Sequence, residues 1–210
     1  RHSVENQSWA MAPSVSLGLG TPTRATLAGA YTEQHNLPDS GLPVAALPNG
    51  IPTTPPTGPV NQKNYYGLAN QDFEAVTSGS VKLGIERDLN PQVTLRNQFV
   101  YTATDRDALL TYFQNSTAAM YDPTLGRVTP RRIHNQTENE ILSDQINATA
   151  NFETGFIEHN LSGGAELSRE TQFIPTWTAV NGPGTSLYTP DPLRAGAVDQ
   201  VPFQAANRPY

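Results

Sequence analysis

The sequence contains no cysteine in 210 residues, which excludes disulfide staples, thiolate metal centres and thiol nucleophiles. It also lacks any apolar run approaching the roughly 20 residues that a helix needs to cross a bilayer. Charge is sparse at 15% Asp, Glu, Lys and Arg, so the dense charge of a solvated tail is missing. The balance is acidic, −6, with no basic stripe to neutralise phosphates, which excludes nucleic acid as a partner. There is no P-loop, G-x-S-x-G elbow, H-E-x-x-H pair or zinc-ligand spacing. No catalytic residue, metal ligand or cofactor is therefore assigned. His2, His35, His134 and His159 stand apart from one another and read as surface groups rather than iron ligands.

What is present is neutral polarity in an alternating pattern. Hydrophobic residues make up 37%, few for a thick dry core, and Asn, Gln, Ser, Thr and 18 prolines supply much of the rest. Trp9, Met11, Val15, Leu17 and Leu19 share one parity up to a turn at Pro22, after which Ala25, Leu27, Gly29 and Tyr31 alternate. Phe73, Ala75, Val81, Leu83 and Ile85 repeat this up to Asn90 and Pro91, with Val93, Leu95, Phe99 and Tyr101 returning. Leu142, Ile146, Ala148, Ala150 and Phe152 form a third unit, turning near Gly155 and returning through Leu161, Ala165 and Leu167. The fold class expected is all-β: an antiparallel transmembrane β-barrel fragment of about six strands in three hairpins, because a membrane strand needs only about 10 alternating residues.

Tight turns alternate with long segments rich in Pro, Gly and Asn, as in barrels with short turns at one rim and long loops at the other. Prolines closely spaced in PVAALPNGIPTTPPTGPV favour extended, polyproline-like backbone there. The segment from Asp107 to Thr129 fits either a short helix or a small loop hairpin. The tail from Phe173 to Tyr210 is expected to carry no further strand. Six strands cannot close a membrane barrel, which needs about eight, and the chain starts at Arg1 without an export signal. Residues 1–210 are thus expected to be part of one barrel domain. By parity, Leu83, Leu95 and Leu161 face lipid, while Arg24, Lys82, Glu86, Arg96, Glu166 and Glu170 face the interior. Asn97 and Asp144 fall on the apolar parity; a strand bulge would flip either locally, and a place at the outer interface would also explain Asp144.

The strings VENQSWAMAPSVSLGLGTPTRATLAGAYTEQHNLPDSGLP, NYYGLANQDFEA, VTLRNQFVYTATDRD and TGFIEHNLSGGAELSRE resemble catecholate-type siderophore receptors of the TonB-dependent class. The resemblance implies a large barrel of the bacterial outer membrane, surrounded by lipid, with an N-terminal plug through which the TonB complex acts; the plug and the remaining strands are not in this sequence. It implies a ferric siderophore as ligand. Such complexes arrive already coordinated and anionic, so recognition calls for cations and aromatic faces. Arg106, Arg131 and Arg132, with Tyr65, Tyr66 and Tyr112, sit in or beside the expected outer loops and form the candidate ligand set. Two other readings of the pattern are a soluble β-rich carbohydrate-binding or adhesin module, which would bury Leu83, Leu95 and Leu161 in a core, and a passive porin-like channel.

Overall fold

In the computed structural model, residues 3–39, 41–42, 60–113, 121–122, 124–195 and 203–207 are described, the last group by backbone alone. The Pro-rich stretch 43–59 lies outside the described residues. The alternating segments pair into one antiparallel sheet. Strands β1 (Glu5–Met11) and β2 (Ser14–Leu17) lie end to end against β3 (Thr23–Leu37), which pairs β4 (Phe73–Asn90). Then follow β5 (Val93–Tyr112), β8 (Arg131–Thr154) and β9 (Ile157–Trp177), and the open sheet ends at β12 (Phe203–Asn207). Counting β1 and β2 as one interrupted strand, the long strands are six, in three hairpins. The interruption falls at Ala12–Pro13, where proline cannot donate to the ladder.

Three tight turns close the hairpins, at 18–22, 91–92 and 155–156. Gly18 holds φ at 73°, and a Cβ there would lie 2.2 Å from the carbonyl oxygen of Thr23, so only glycine closes the first turn. The turns are staggered. Thr23, at the first, pairs with Arg87, three residues before Asn90 at the second; Val93 then pairs with Ala150, four residues before Thr154 at the third. At ~3.3 Å per residue and ~4.8 Å between strands, a line through the three turns makes the strands tilt by roughly 50°. That is close to the steep tilt, about 35–45°, of membrane barrels.

Registered partners share a face, which fixes both sides of the sheet. One row runs Val15, Leu27, Leu83, Phe99, Asp144 and Leu167; the next carries Leu17, Ala25, Ile85, Asn97, Ile146 and Ala165. These apolar side chains are exposed rather than packed, Leu83 by 38%, Leu161 by 58% and Leu167 by 79%. A soluble core would have buried them. The opposite face is polar: Arg24 bonds Glu86 and Asp88, and Arg96 reaches the same Glu86. Lys82 and Glu166 share that face with Arg96.

Asn97 and Asp144 do lie on the apolar face. No bulge turns them away, since the β5–β8 register is unbroken, and the Asn97 amide donates to Asp144 at 2.7 Å. Each satisfies the other.

Three expectations are corrected. The tail carries β12, which pairs Ile174–Trp177 of β9. The segment after Asp107 is neither helix nor loop at first: β5 continues to Tyr112, and the small hairpin lies beyond it, in β6 (Tyr121–Asp122) and β7 (Arg127–Val128). Residues 114–120 and 123 between these strands lie outside the described residues. Finally, β8 begins at Arg131, eleven residues before its apolar alternation begins at Leu142.

Candidate functional site

The long connections meet above the end of the sheet opposite the tight turns. Tyr66, Val128 and Leu187 form a small buried core drawn from the three loop segments, with Leu42, Val60, Phe113, Tyr121 and Tyr188 packed against it. The ring of Phe113 meets that of Tyr66 edge-on at 5.6 Å. Strand β11 (Thr185–Ser186) adds to β7 and β6 as a three-stranded patch, while β10 (Val180–Asn181) pairs with β8 at Arg132 and Arg131. The Tyr66 hydroxyl donates to the Leu187 carbonyl at 2.5 Å, and the Asn64 amide donates to that of Tyr188 at 3.0 Å.

Beneath this core the NYYGL segment wraps around Asp72. Its carboxylate accepts the Leu68 N–H at 2.8 Å and the Thr111 hydroxyl at 2.7 Å, with Arg132 Nη2 at 3.9 Å. Burial pushes the Asp72 carboxyl above its ordinary range, opposed by these two donors and by Arg132. Burial likewise raises the Tyr65 hydroxyl, with Asp72 adding to the effect. Gly67 is required by space: a Cβ would stand 2.4 Å from the Tyr65 hydroxyl oxygen and 2.7 Å from Asp72 Oδ2. Gly67→Ala is expected to cost about 1–3 kcal/mol by forcing the carboxylate off its donors. Faster hydrogen exchange at the Leu68 amide, with strand amides unchanged, is the measurement; equal exchange would count against this packing.

The six candidate residues divide into two groups. Tyr65, Tyr66 and Arg132 are 5%, 2% and 1% exposed and belong to the loop core. Arg106, Tyr112 and Arg131 share the polar face instead. All three lie in strands rather than in loops. Arg106 donates to Glu74 at 2.8 Å, while Tyr112 and Arg131 are direct register partners at the top of β5 and β8. Arg131 also donates to the Ala179 carbonyl at 2.6 Å. The histidines are less solitary than expected: His134 packs tilted against Trp177 with ring centres 4.2 Å apart and bonds Asp107, and His35 bonds Glu33. His2 lies outside the described residues.

Sequence reasoning missed Arg194. Only 7% exposed, it donates to the carbonyls of Tyr66 at 2.9 Å, Gly67 at 3.1 Å, Pro183 at 3.0 Å and Asp191 at 2.8 Å. Burial draws its pKa below the ordinary value, opposed by Asp72 and Asp191. Nothing in a Pro-rich tail marks one arginine as interior. Gly67 lying five residues before Asp72 was the available signal for the partner segment.

No protein-family model matches the chain. It is 33% identical over 201 residues to the catecholate siderophore receptor Fiu of Escherichia coli K12, covering 91% of this chain and 26% of that protein. The probable TonB-dependent siderophore receptor PiuA of Acinetobacter baumannii is 32% identical over 169 residues, covering 80% of this chain and 22% of PiuA. The chain thus spans about a quarter of the length of the curated relatives it matches. The crystal structure of the ferric-catecholate import receptor Fiu in its open form superposes with a TM-score of 0.79 at 29% identity, over 98% of this chain and 32% of that one. These relatives are transport receptors rather than enzymes.

Proposed function

Because this chain is a stretch of barrel wall from a TonB-dependent siderophore receptor of the bacterial outer membrane, we propose that it serves the uptake of a ferric siderophore without catalysing a reaction. The observation that carries the reading is the two-faced sheet, exposed and apolar on one side and ion-paired on the other, with the loop core above it. We assign the apolar face to lipid and the polar face to the barrel interior. On the apolar face of β8, Phe152 and Glu140 lie twelve residues apart. Along strands tilted as above that is a height of about 25 Å, the thickness of the apolar band of an outer-membrane barrel. Near the upper edge of that band, Trp9 donates to Glu33 and Tyr101 to Glu140, as interfacial aromatics do when one end is wet. The whole of residues 1–210 then belongs to one partial barrel domain, and TonB would act through a plug supplied elsewhere in the protein.

Within this reading, Arg131, Tyr112 and Arg106 are the contacts for an anionic complex, because they line the interior face. Tyr65, Tyr66 and Arg132 act through the shape of the loops. The two groups are separable. In the intact receptor at normal membrane abundance, Arg131→Ala is expected to weaken iron(III) tris-catecholate binding by about 1–3 kcal/mol, roughly 5- to 150-fold. Titration at two salt concentrations distinguishes a hydrogen-bonded contact from long-range attraction, which fades with screening. Unchanged affinity and uptake would remove Arg131 from the site.

A further inference from the structure

The loops above the sheet are held by more than a shared apolar core. Arg194 is a buried cation that donates to backbone carbonyls on two separate loop segments, Tyr66 and Gly67 in the first and Pro183 and Asp191 in the third. The third segment carries the second with it, since the Leu187 N–H donates to the Gly126 carbonyl at 2.9 Å and β11 pairs β7. It is also seated on the candidate ligand contact. The Gly182 N–H donates to the Pro130 carbonyl at 2.8 Å, Asn181 is the register partner of Arg131, and Ala179 accepts from the Arg131 guanidinium. Only Gly182 separates Pro183, held by Arg194, from Asn181, held beside Arg131.

We propose that Arg194 is a positioning residue: it clasps the three outer loops into one body and, through Pro183 and β10, fixes the guanidinium of Arg131 toward the ligand. This rests on the reading of Arg131 as a ligand contact. The chemistry suits the task. A planar guanidinium with five donors can serve four carbonyls at once, whereas a lysine ammonium has three donors at a single point.

The test uses the intact receptor and two readouts, the rate of limited proteolysis in the loops without ligand and the affinity for iron(III) tris-catecholate. Arg194→Ala is expected to speed loop cleavage and to weaken binding, each by about tenfold, the effect of losing one or two buried hydrogen bonds. Arg194→Lys should restore little. Ala69→Cys with Pro192→Cys, whose backbones are joined by a 3.0 Å hydrogen bond, replaces the clasp with a disulfide in a chain that has no other cysteine. In the Arg194→Ala background, this pair should bring back both protection and affinity. In the Arg131→Ala background, Arg194→Ala should cost almost no further affinity. The proposal is overturned if the loops of Arg194→Ala resist cleavage as the unaltered receptor does, if the disulfide restores protection without affinity, or if Arg194→Ala weakens binding equally when Arg131 is absent. Failure of the receptor reading looks different: the unaltered receptor then binds no tris-catecholate, while the cleavage rates still decide whether the clasp exists.

Discussion

Expressed alone and refolded in plain buffer, residues 1–210 are expected to yield aggregates or detergent-dependent material rather than a monodisperse monomer. Two features of the sheet cause this. The apolar face leaves Leu17, Leu161 and Leu167 exposed by 67%, 58% and 79%, a continuous surface that lipid would cover and water would not. The second is edge pairing: among the described residues, β12 covers β9 only at Ile174–Trp177, so along that side residues 157–172 have no described strand to take up their N–H and C=O groups. An open edge of that length in hydrocarbon would cost several kcal/mol per group, and in water it templates association. Size-exclusion chromatography with a thermal melt decides the matter. A sharp cooperative transition from a monodisperse sample would defeat the membrane assignment. Burial of the loop core does not rescue the chain, because it involves few side chains beside the exposed face.

The parts of the fold that were legible in the sequence are those where two different solvents impose a period of two. Between Leu83 and Ile85, or between Leu95 and Phe99, side chains alternate because one face is apolar and the other polar. The turns at Pro22, Pro91 and Gly155 were equally legible, since tight turns depend on Gly, Pro and Asn. Strand ends were not. Toward the loops both faces become polar, with Glu33, Asp105, Glu138 and Glu140 on what is the apolar side lower down. The alternation vanishes there although the hydrogen-bond ladder continues, so Arg131 and Tyr112 looked like loop residues while lying in strands. Strand β12 escaped because its pairing, with a register shift between Phe203 and Ala205, leaves too short a pattern to see.

The candidate site was legible by residue type but not by role. Arginines and tyrosines near outer loops are the right chemistry for an anionic aromatic ligand, yet composition cannot say which of them fold inward. Arg131 and Arg132 are adjacent in sequence and register on opposite faces, one beside Tyr112 and the other beside Thr111 and Asp72. That difference follows from strand pleating and could have been read only with the start of β8 in hand. Arg194 is placed by two loops more than a hundred residues apart in sequence, which no local pattern encodes.

Reversing the chemistry of one face gives the other large effect. Leu83→Arg in the intact receptor places a guanidinium on the apolar face, in a row with Leu27 and Phe99. Near the midplane that should cost about 2–4 kcal/mol of barrel stability. Ser80→Arg, three residues away on the polar face beside Ala30 and Thr102, should cost well under half as much, because water or an interior partner can solvate the charge. Denaturant-dependent folding into lipid vesicles measures both. Cysteine labelling supplies the orientation without a charge: Leu83→Cys should be hidden from water-soluble thiol reagents and quenched by lipid-attached quenchers, and Lys82→Cys should show the reverse. A one-residue slip in register would exchange the two outcomes, since every side chain of the strand would change face. Should Leu83→Arg prove harmless and Ser80→Arg costly, lipid would lie against the ion-paired face. Arg131 and Tyr112 would then point away from the ligand's path, and the assignment of the site would fall together with that of the faces.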